Sequence, residues 1–309
     1  MDTNYELDWE NFLSEKLCLG AYGMSNFQKP IAIPNPMITT VPAYHVLFTE
    51  PKMRRLHDSE KFYLSECEML TAQLSALLWK RFHGSITMLT DEIGYEYLKG
   101  TELFECYDAV LPILDRRNYG INPRKYWASG KIQALALLKE TGVILDMDML
   151  VWKTLDLTDA DLIVSHIEHL NERIYPDFSY FIVASDYRFP ELWSQQTEPL
   201  NTSFLFIRDL EFQKYYTKES IRFMQNEFDT PDTGELCMVF AEQRILAMCA
   251  EEKSIRVKLL LDYDNLDKGN EMITHIWSSK HILEANPYFK SKYIELCKNK
   301  IDELTKLSN

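Results

Sequence analysis

Asp146 and Asp148 stand two apart in the run ILDMDML, behind an apolar stretch that starts at Val143. Side chains alternate along a strand, so both carboxylates are expected on one side with Met147 opposite. Two like charges on one edge repel, and a bridging cation relieves the repulsion. Hard divalent cations take carboxylate oxygens and leave places for water and phosphate. An Asp-x-Asp at the carboxyl end of a strand therefore suits a metal–diphosphate site. The plain alternative is two solvated aspartates in a turn. Elsewhere, Asn201 opens the run LNTSF and either reaches an acceptor hydroxyl or forms a turn. His166 and His169 in SHIEH have no evident third ligand, so a zinc site is not expected there.

Hydropathy outlines the elements that must hold these groups. Strand-type runs occur at HVLFTE (45–50), GSITMLTDE (84–92), YDAVLPIL (107–114) and VILDMDMLV (143–151). They continue at DLIVSHI (161–167), YFIVASD (180–186), SFLFIRD (203–209) and VKLLLD (257–262). Helical spacing predicts helices over 1–19, 59–82, the segment IGYEYLKG, 123–142 with Gly142 beyond its end, 211–226, 235–252 and 287–307. Four prolines in residues 20–43 predict an extended arm. Strands alternating with helices predict an α/β fold with a mixed, mainly parallel sheet flanked by helices. Ligands in such sheets bind beyond the carboxyl ends of the strands, where Asp146 and Asp148 are expected. No segment reads as an interdomain linker. The expected organisation is an N-terminal helix and arm over 1–43 and one catalytic domain over 44–309.

The stretch ASGKIQALALLKETGVILDMD resembles the central block of DxD glycosyltransferases of the GT-A fold, which include mannosyltransferase, capsular sugar transferase and glucosylating-toxin types. Ser129 matches that family's serine and Gly142 its second glycine. Gly130 stands where the family has Asp, and Gln133 where it has Arg. The resemblance implies transfer of a sugar from a nucleotide-diphosphate donor, read as UDP-linked, to a glycan or lipid-linked saccharide. It implies Mn2+ or Mg2+ held by Asp146 and Asp148, with Asp146 also near the donor ribose. Lys131 then offers a replacement charge for the donor phosphates. FAEQRIL (240–246) resembles the acidic–Gln pair of the glycogenin and bacterial galactosyltransferase type, which implies a role for Glu242 or Gln243 near the reacting carbon. THIWSSKHIL (274–283) resembles the late His…Lys segment of the same type, without its glycine and one residue shorter. It implies His275 as third metal ligand, Lys280 on the diphosphate, and Trp277 and Ser278 against the nucleotide. Imidazole is acceptable to manganese beside carboxylates.

ILDMDML also resembles the haloacid-dehalogenase phosphatase motif, in which the first Asp takes the phosphoryl group. There the motif ends the first strand of the catalytic domain, whereas here about three strand–helix units precede it. A non-catalytic nucleotide-sugar- or glycan-binding relative is the other alternative, in view of Gly130 and Gln133.

Composition narrows the field. The 309 residues carry 33 Lys and Arg against 47 Asp and Glu, a net charge of −14. A bulk basic surface for nucleic acid is excluded. Neither GxGxxG nor GxxxxGK[ST] occurs among the 10 glycines' surroundings. The acidic start lacks a secretory pattern, and no run nears the roughly 18 apolar residues of a spanning helix. Six scattered cysteines without CxxC read as reduced, buried thiols. Together with the resemblance, which implies an enzyme of polysaccharide biosynthesis, the expectation is a cytoplasmic protein, with peripheral contact at the inner membrane face left open.

Overall fold

The computed structural model describes residues 21–37, 40–53, 61–114, 119–228, 230–231, 235–266, 270–276, 283 and 285–308. The helix expected over 1–19 lies outside them, as do Trp277, Ser278 and Lys280. The strands are β1 (Ala43–Leu47), β2 (Ile86–Thr90), β3 (Ala109–Pro112), β4 (Val143–Leu145), β5 (Met149–Val151), β6 (Leu162–Val164), β7 (Phe204–Ile207), β8 (Val257–Leu259) and β9 (Ile273–His275). Seven of them form one sheet in the order β3-β2-β1-β4-β7-β6-β8, while β5 pairs with β9 in a two-stranded sheet. Within the large sheet only β7 runs against its neighbours. The mixed, mainly parallel sheet expected from the sequence is the one observed.

The helices are α1 (Glu50–Met53), α2 (Glu66–His83), α3 (Glu92–Leu98), α4 (Ser129–Leu137), α5 (Leu210–Asn226), α6 (Leu236–Val239), α7 (Ile245–Glu252) and α8 (Pro287–Ser308). Strand residues divide by parity between two cores, as alternation requires. Tyr44, Ile144, Leu205 and Ile207 pack on α4, α5 and α7. Ala43, Val143, Leu145 and Phe206 pack with Ala72, Ala76 and Trp79 of α2. The opposite side of α2, through Leu74, Leu78 and Phe82, meets Tyr293, Cys297 and Leu304 of α8. Cys67, Cys106, Cys237, Cys249 and Cys297 are buried free thiols.

Four expectations are corrected. The helix expected from residue 59 begins at Glu66, because Ser65 makes a reciprocal cap. Its hydroxyl accepts from the Glu68 N–H at 3.3 Å, and its own N–H donates to the Glu68 carboxylate at 2.8 Å. The central helix runs only over Ser129–Leu137, since Leu138 is already extended. VILDMDMLV is not one strand. The chain turns at Asp146, where the Met149 N–H donates to the Asp146 carbonyl at 2.9 Å, and then continues as β5 in the other sheet. YFIVASD forms no strand; its apolar residues serve an aromatic cluster instead. Phe181 lies 4.3 Å from Phe240, and Phe223 lies 4.8 Å from Phe240, between ring centroids.

Further, the helix expected over 235–252 is interrupted by a π-helical turn over Phe240–Arg244. The Tyr216 hydroxyl of α5 donates to the Glu242 carbonyl at 2.8 Å, fixing that turn. Gly130 opens α4 where the helix approaches the end of β1. A Cβ there would stand 2.6 Å from the Cβ of Phe48. Gly130→Ala is expected to lower stability by about 1–3 kcal/mol, as overpacking does, measured by urea unfolding.

Two buried histidines are expected to make the fold acid-sensitive. His45 on β1 lies between the Tyr107 hydroxyl (2.9 Å) and the Ser75 hydroxyl (3.1 Å), and burial pushes it down to about 3. His83 stacks on Trp79 at 4.2 Å, accepts from the Leu155 N–H at 3.2 Å, and is pushed down by burial to about 4. Both have folded-state values below the ordinary one near 6.5, so below that pH the unfolded chain binds more protons. Stability should therefore fall as pH drops from about 6.5 toward 4. His83→Gln keeps an acceptor for Leu155 and should flatten this slope in urea unfolding at pH 7.5 and 5. An unchanged slope would exclude His83 as a source.

Candidate metal centre

The turn that ends β4 carries Asp146 and Asp148, and the antiparallel pairing of β5 with β9 brings His275 to them. Met149 sits opposite His275 in that ladder, and the Ile276 N–H donates to the Asp148 carbonyl at 3.1 Å. The Asp146 N–H donates to the Ser203 carbonyl at 2.8 Å, which ties the turn to the start of β7. The His275 Nε2 lies 3.4 Å from Asp148 Oδ1 and 4.0 Å from Asp146 Oδ2. One donor atom from each residue falls within 4.8 Å of the others. Asp148 is 8% exposed and His275 4%. The carboxylates thus meet through a turn and a strand pair, not through the alternation on one strand that the sequence suggested. Two carboxylates and an imidazole form a donor set that suits a divalent cation such as Mn2+.

Lys131 lies on the other side of Asp146. Its Nζ stands 2.8 Å from Asp146 Oδ1 and 2.6 Å from Glu242 Oε1. Burial works against the Lys131 charge, but Asp146 and Glu242 outweigh it and hold the ammonium above its ordinary value. Asp146 is pushed up, by burial first and by the Asp148 charge, in spite of Lys131. Glu242 also accepts from the Thr202 hydroxyl at 2.7 Å. The two departures from the glycosyltransferase pattern have local causes. Phe48 fills the space where a side chain at Gly130 would start. Gln133 is buried and donates to Ser129 Oγ at 3.2 Å within its own helix.

The remaining sequence candidates are placed as follows. Asn201 accepts from the Ser203 N–H and hydroxyl, as a turn residue does, and its Nδ2 donates to Glu168 Oε1 at 2.8 Å. Gln243 accepts from the Tyr175 hydroxyl at 2.5 Å. His166 and His169 take different partners. His166 is buried, with Nδ1 at 2.9 Å from Ser165 Oγ and Nε2 at 3.3 Å from Glu168 Oε1, whereas His169 is exposed beside Glu198 and Asp264.

Sequence reasoning missed Tyr22, Ser165 and Glu168. Tyr22 of the arm lies across His275, with ring centroids 5.6 Å apart, and its hydroxyl is 3.1 Å from Ser165 Oγ. Burial raises Glu168, but hydrogen bonds from His166 and Asn201 outweigh this and keep it below its ordinary range. A ring of contacts results, through a 4.0 Å approach of His275 to Asp146, the edge-to-face contact of Tyr22 with His275, and hydrogen bonds along Tyr22, Ser165, His166, Glu168, Asn201, Ser203 and back to Asp146. The run SHIEH holds three of these residues, and its acid was the overlooked signal. Nothing in the sequence pairs Tyr22 with His275. Beside Asp148, a cavity of about 140 Å³ is lined by Leu47, Cys67, Thr71, Met147 and Tyr293 among others.

No curated protein matches the chain. Among solved structures, an inositol-1-phosphate CTP transferase from T. maritima is similar at 13% identity and a TM-score of 0.42, over 86% of this chain and 97% of that one. Mouse xyloside xylosyltransferase 1 is similar at 10% identity and a TM-score of 0.40, over 73% and 85%. The galactosyltransferase LgtC, in complex with donor and acceptor sugar analogues, gives 11% identity and a TM-score of 0.31, over 65% and 69%. Residues 45–305 match the model described as a family of unknown function, DUF6734, and the chain belongs to that family.

Proposed function

We propose that this chain is a glycosyltransferase of GT-A type, which moves a sugar from a nucleotide-diphosphate donor, read as UDP-linked, to a hydroxyl of a glycan or lipid-linked saccharide. The observation that carries this reading is the convergence of the DxD aspartates, Asp146 and Asp148, with the distant His275. A divalent cation, Mn2+ or Mg2+, held by these three would neutralise charge that develops on the leaving diphosphate.

The protein's own groups have separate tasks in this reading. Lys131 places a fixed positive charge beside Asp146 for the donor phosphates. Glu242 holds Lys131 in place and sets a negative charge where an oxocarbenium-like carbon would form. Asn201 is held as a turn residue by Ser203 and Glu168, so an acceptor role for it rests on the sequence reading alone. Trp277, Ser278, Lys280 and Gln243 remain donor-side or catalytic candidates on the resemblance alone. Residues 44–309 are taken as one catalytic domain, with 1–43 as its arm. Among the described residues no helix is long and apolar enough to cross a membrane. A cytoplasmic place in polysaccharide biosynthesis, with contact at the inner membrane face, accords with this reading.

Calorimetric titration with UDP, with and without Mn2+, tests the site. Wild type is expected to bind UDP only with the metal, and Asp148→Asn to lose at least about tenfold in metal affinity. Metal-independent UDP binding, or hydrolysis of a general phosphatase substrate without UDP binding, would overturn the reading. Glu242→Gln should keep UDP binding while turnover of the accepted donor falls by about 10²–10³. Binding by wild type without transfer or hydrolysis across a donor panel would leave a binding protein rather than an enzyme.

A further inference from the structure

We propose that Tyr22, on the arm ahead of the matched family region, is a positioning residue for His275. The inference rests on the metal reading of the Asp146–Asp148–His275 cluster. β9 has three residues and pairs on one side with β5, which also has three. So small a sheet holds its register weakly by itself. Tyr22 occupies the other side of β9: its N–H donates to the His275 carbonyl at 3.1 Å, and the His275 N–H donates to the Tyr22 carbonyl at 3.1 Å.

The side chains repeat the connection. The Tyr22 ring stands edge-to-face on the imidazole, 5.6 Å between centroids with planes at 76°. Tyr22 is 2% exposed, and its hydroxyl is fixed by Ser165, which His166 holds in turn. An imidazole trapped between a fixed ring and its own ladder cannot rotate freely, and its Nε2 stays aimed at Asp148. Constraints of this kind on a ligating histidine govern metal affinity.

The arm is built for this contact. Gly23 has φ +70°, and a Cβ there would stand 2.0 Å from the Ile273 carbonyl oxygen. Only glycine lets the arm lie this close to β9. The Thr274 hydroxyl donates to the Gly23 carbonyl, and Asn26 Nδ2 donates to the Ile273 carbonyl at 3.3 Å. Further along the arm, Phe27 anchors against Trp152 and Tyr293, at 5.2 and 5.9 Å between centroids.

The test uses the full chain and the metal alone. Mn2+ affinity is measured by calorimetry, and the visible absorption of added Co2+ reports the imidazole ligand. Tyr22→Leu keeps buried bulk and is expected to fold, to weaken Mn2+ binding about 10-fold or more, and to change the Co2+ spectrum. Tyr22→Phe keeps the ring and should restore most of the affinity and the wild-type spectrum. Phe27→Ala should lower the melting temperature without moving either metal readout. Equal Mn2+ affinity and spectra in wild type and Tyr22→Leu would overturn the inference alone. So would equal weakening by Tyr22→Leu and Phe27→Ala, which would make the arm merely structural. Failure of wild type to bind Mn2+, or of His275→Ala to weaken it, would overturn the metal reading and this inference with it.

Discussion

Three carboxylates crowded at the carboxyl end of β4, the middle strand of the large sheet, set the terms for the rest of the molecule. Asp146, Asp148 and Glu242 lie in surroundings where mutual repulsion is poorly screened. Lys131 answers two of them at once. Asp148 lies instead against His275. Buried charges are tolerated only with good geometry and satisfied hydrogen bonds, and the surrounding elements supply both. Phe48 and Gly130 let α4 approach closely enough for Lys131 to reach in. The π-turn between α6 and α7, held by Tyr216, presents Glu242 to the same lysine.

The arrangement is economical in what it asks of the backbone. A chain with few glycines and no glycine-built phosphate cradle has little main-chain means of gripping a diphosphate. Its net charge of −14 also rules out a broad basic field. Local side chains must then define any anion site, and Lys131 is the cation that the fold fixes beside Asp146.

Most of the scaffold was legible because strands buried on both faces and amphipathic helices leave distinct periodicities. The sheet strands β2, β3, β6, β7 and β8 lie within those runs and the helices α5 and α8 follow theirs closely, whereas β1 starts earlier than its run and β4 is only the first part of the long run over 143–151. The aspartate pair and His275 were legible by residue type and spacing. Their geometry was not, because alternation cannot foresee the turn that sends Asp146 and Asp148 from one sheet to another. YFIVASD misled because hydrophobicity does not say whether a run will pair as a strand or feed an aromatic cluster. The π-turn carries no compositional mark, since one added residue per turn changes register and not chemistry. Tyr22 was invisible for a topological reason: its partner lies near the other end of the chain, and long-range pairing leaves no local pattern.

The same pairing orders events in time. A ribosome makes Tyr22 early and His275 late, and the contact between them closes a loop that contains the whole large sheet. Closing so long a loop costs entropy that only an already folded interior can offset. The arm cannot dock on this strand until the strand has been made. A chain that stalls before residue 275 has both aspartates but neither the imidazole nor the strand on which the arm docks. Completion of the Asp146–Asp148–His275 cluster thus requires that the whole intervening body has been synthesised.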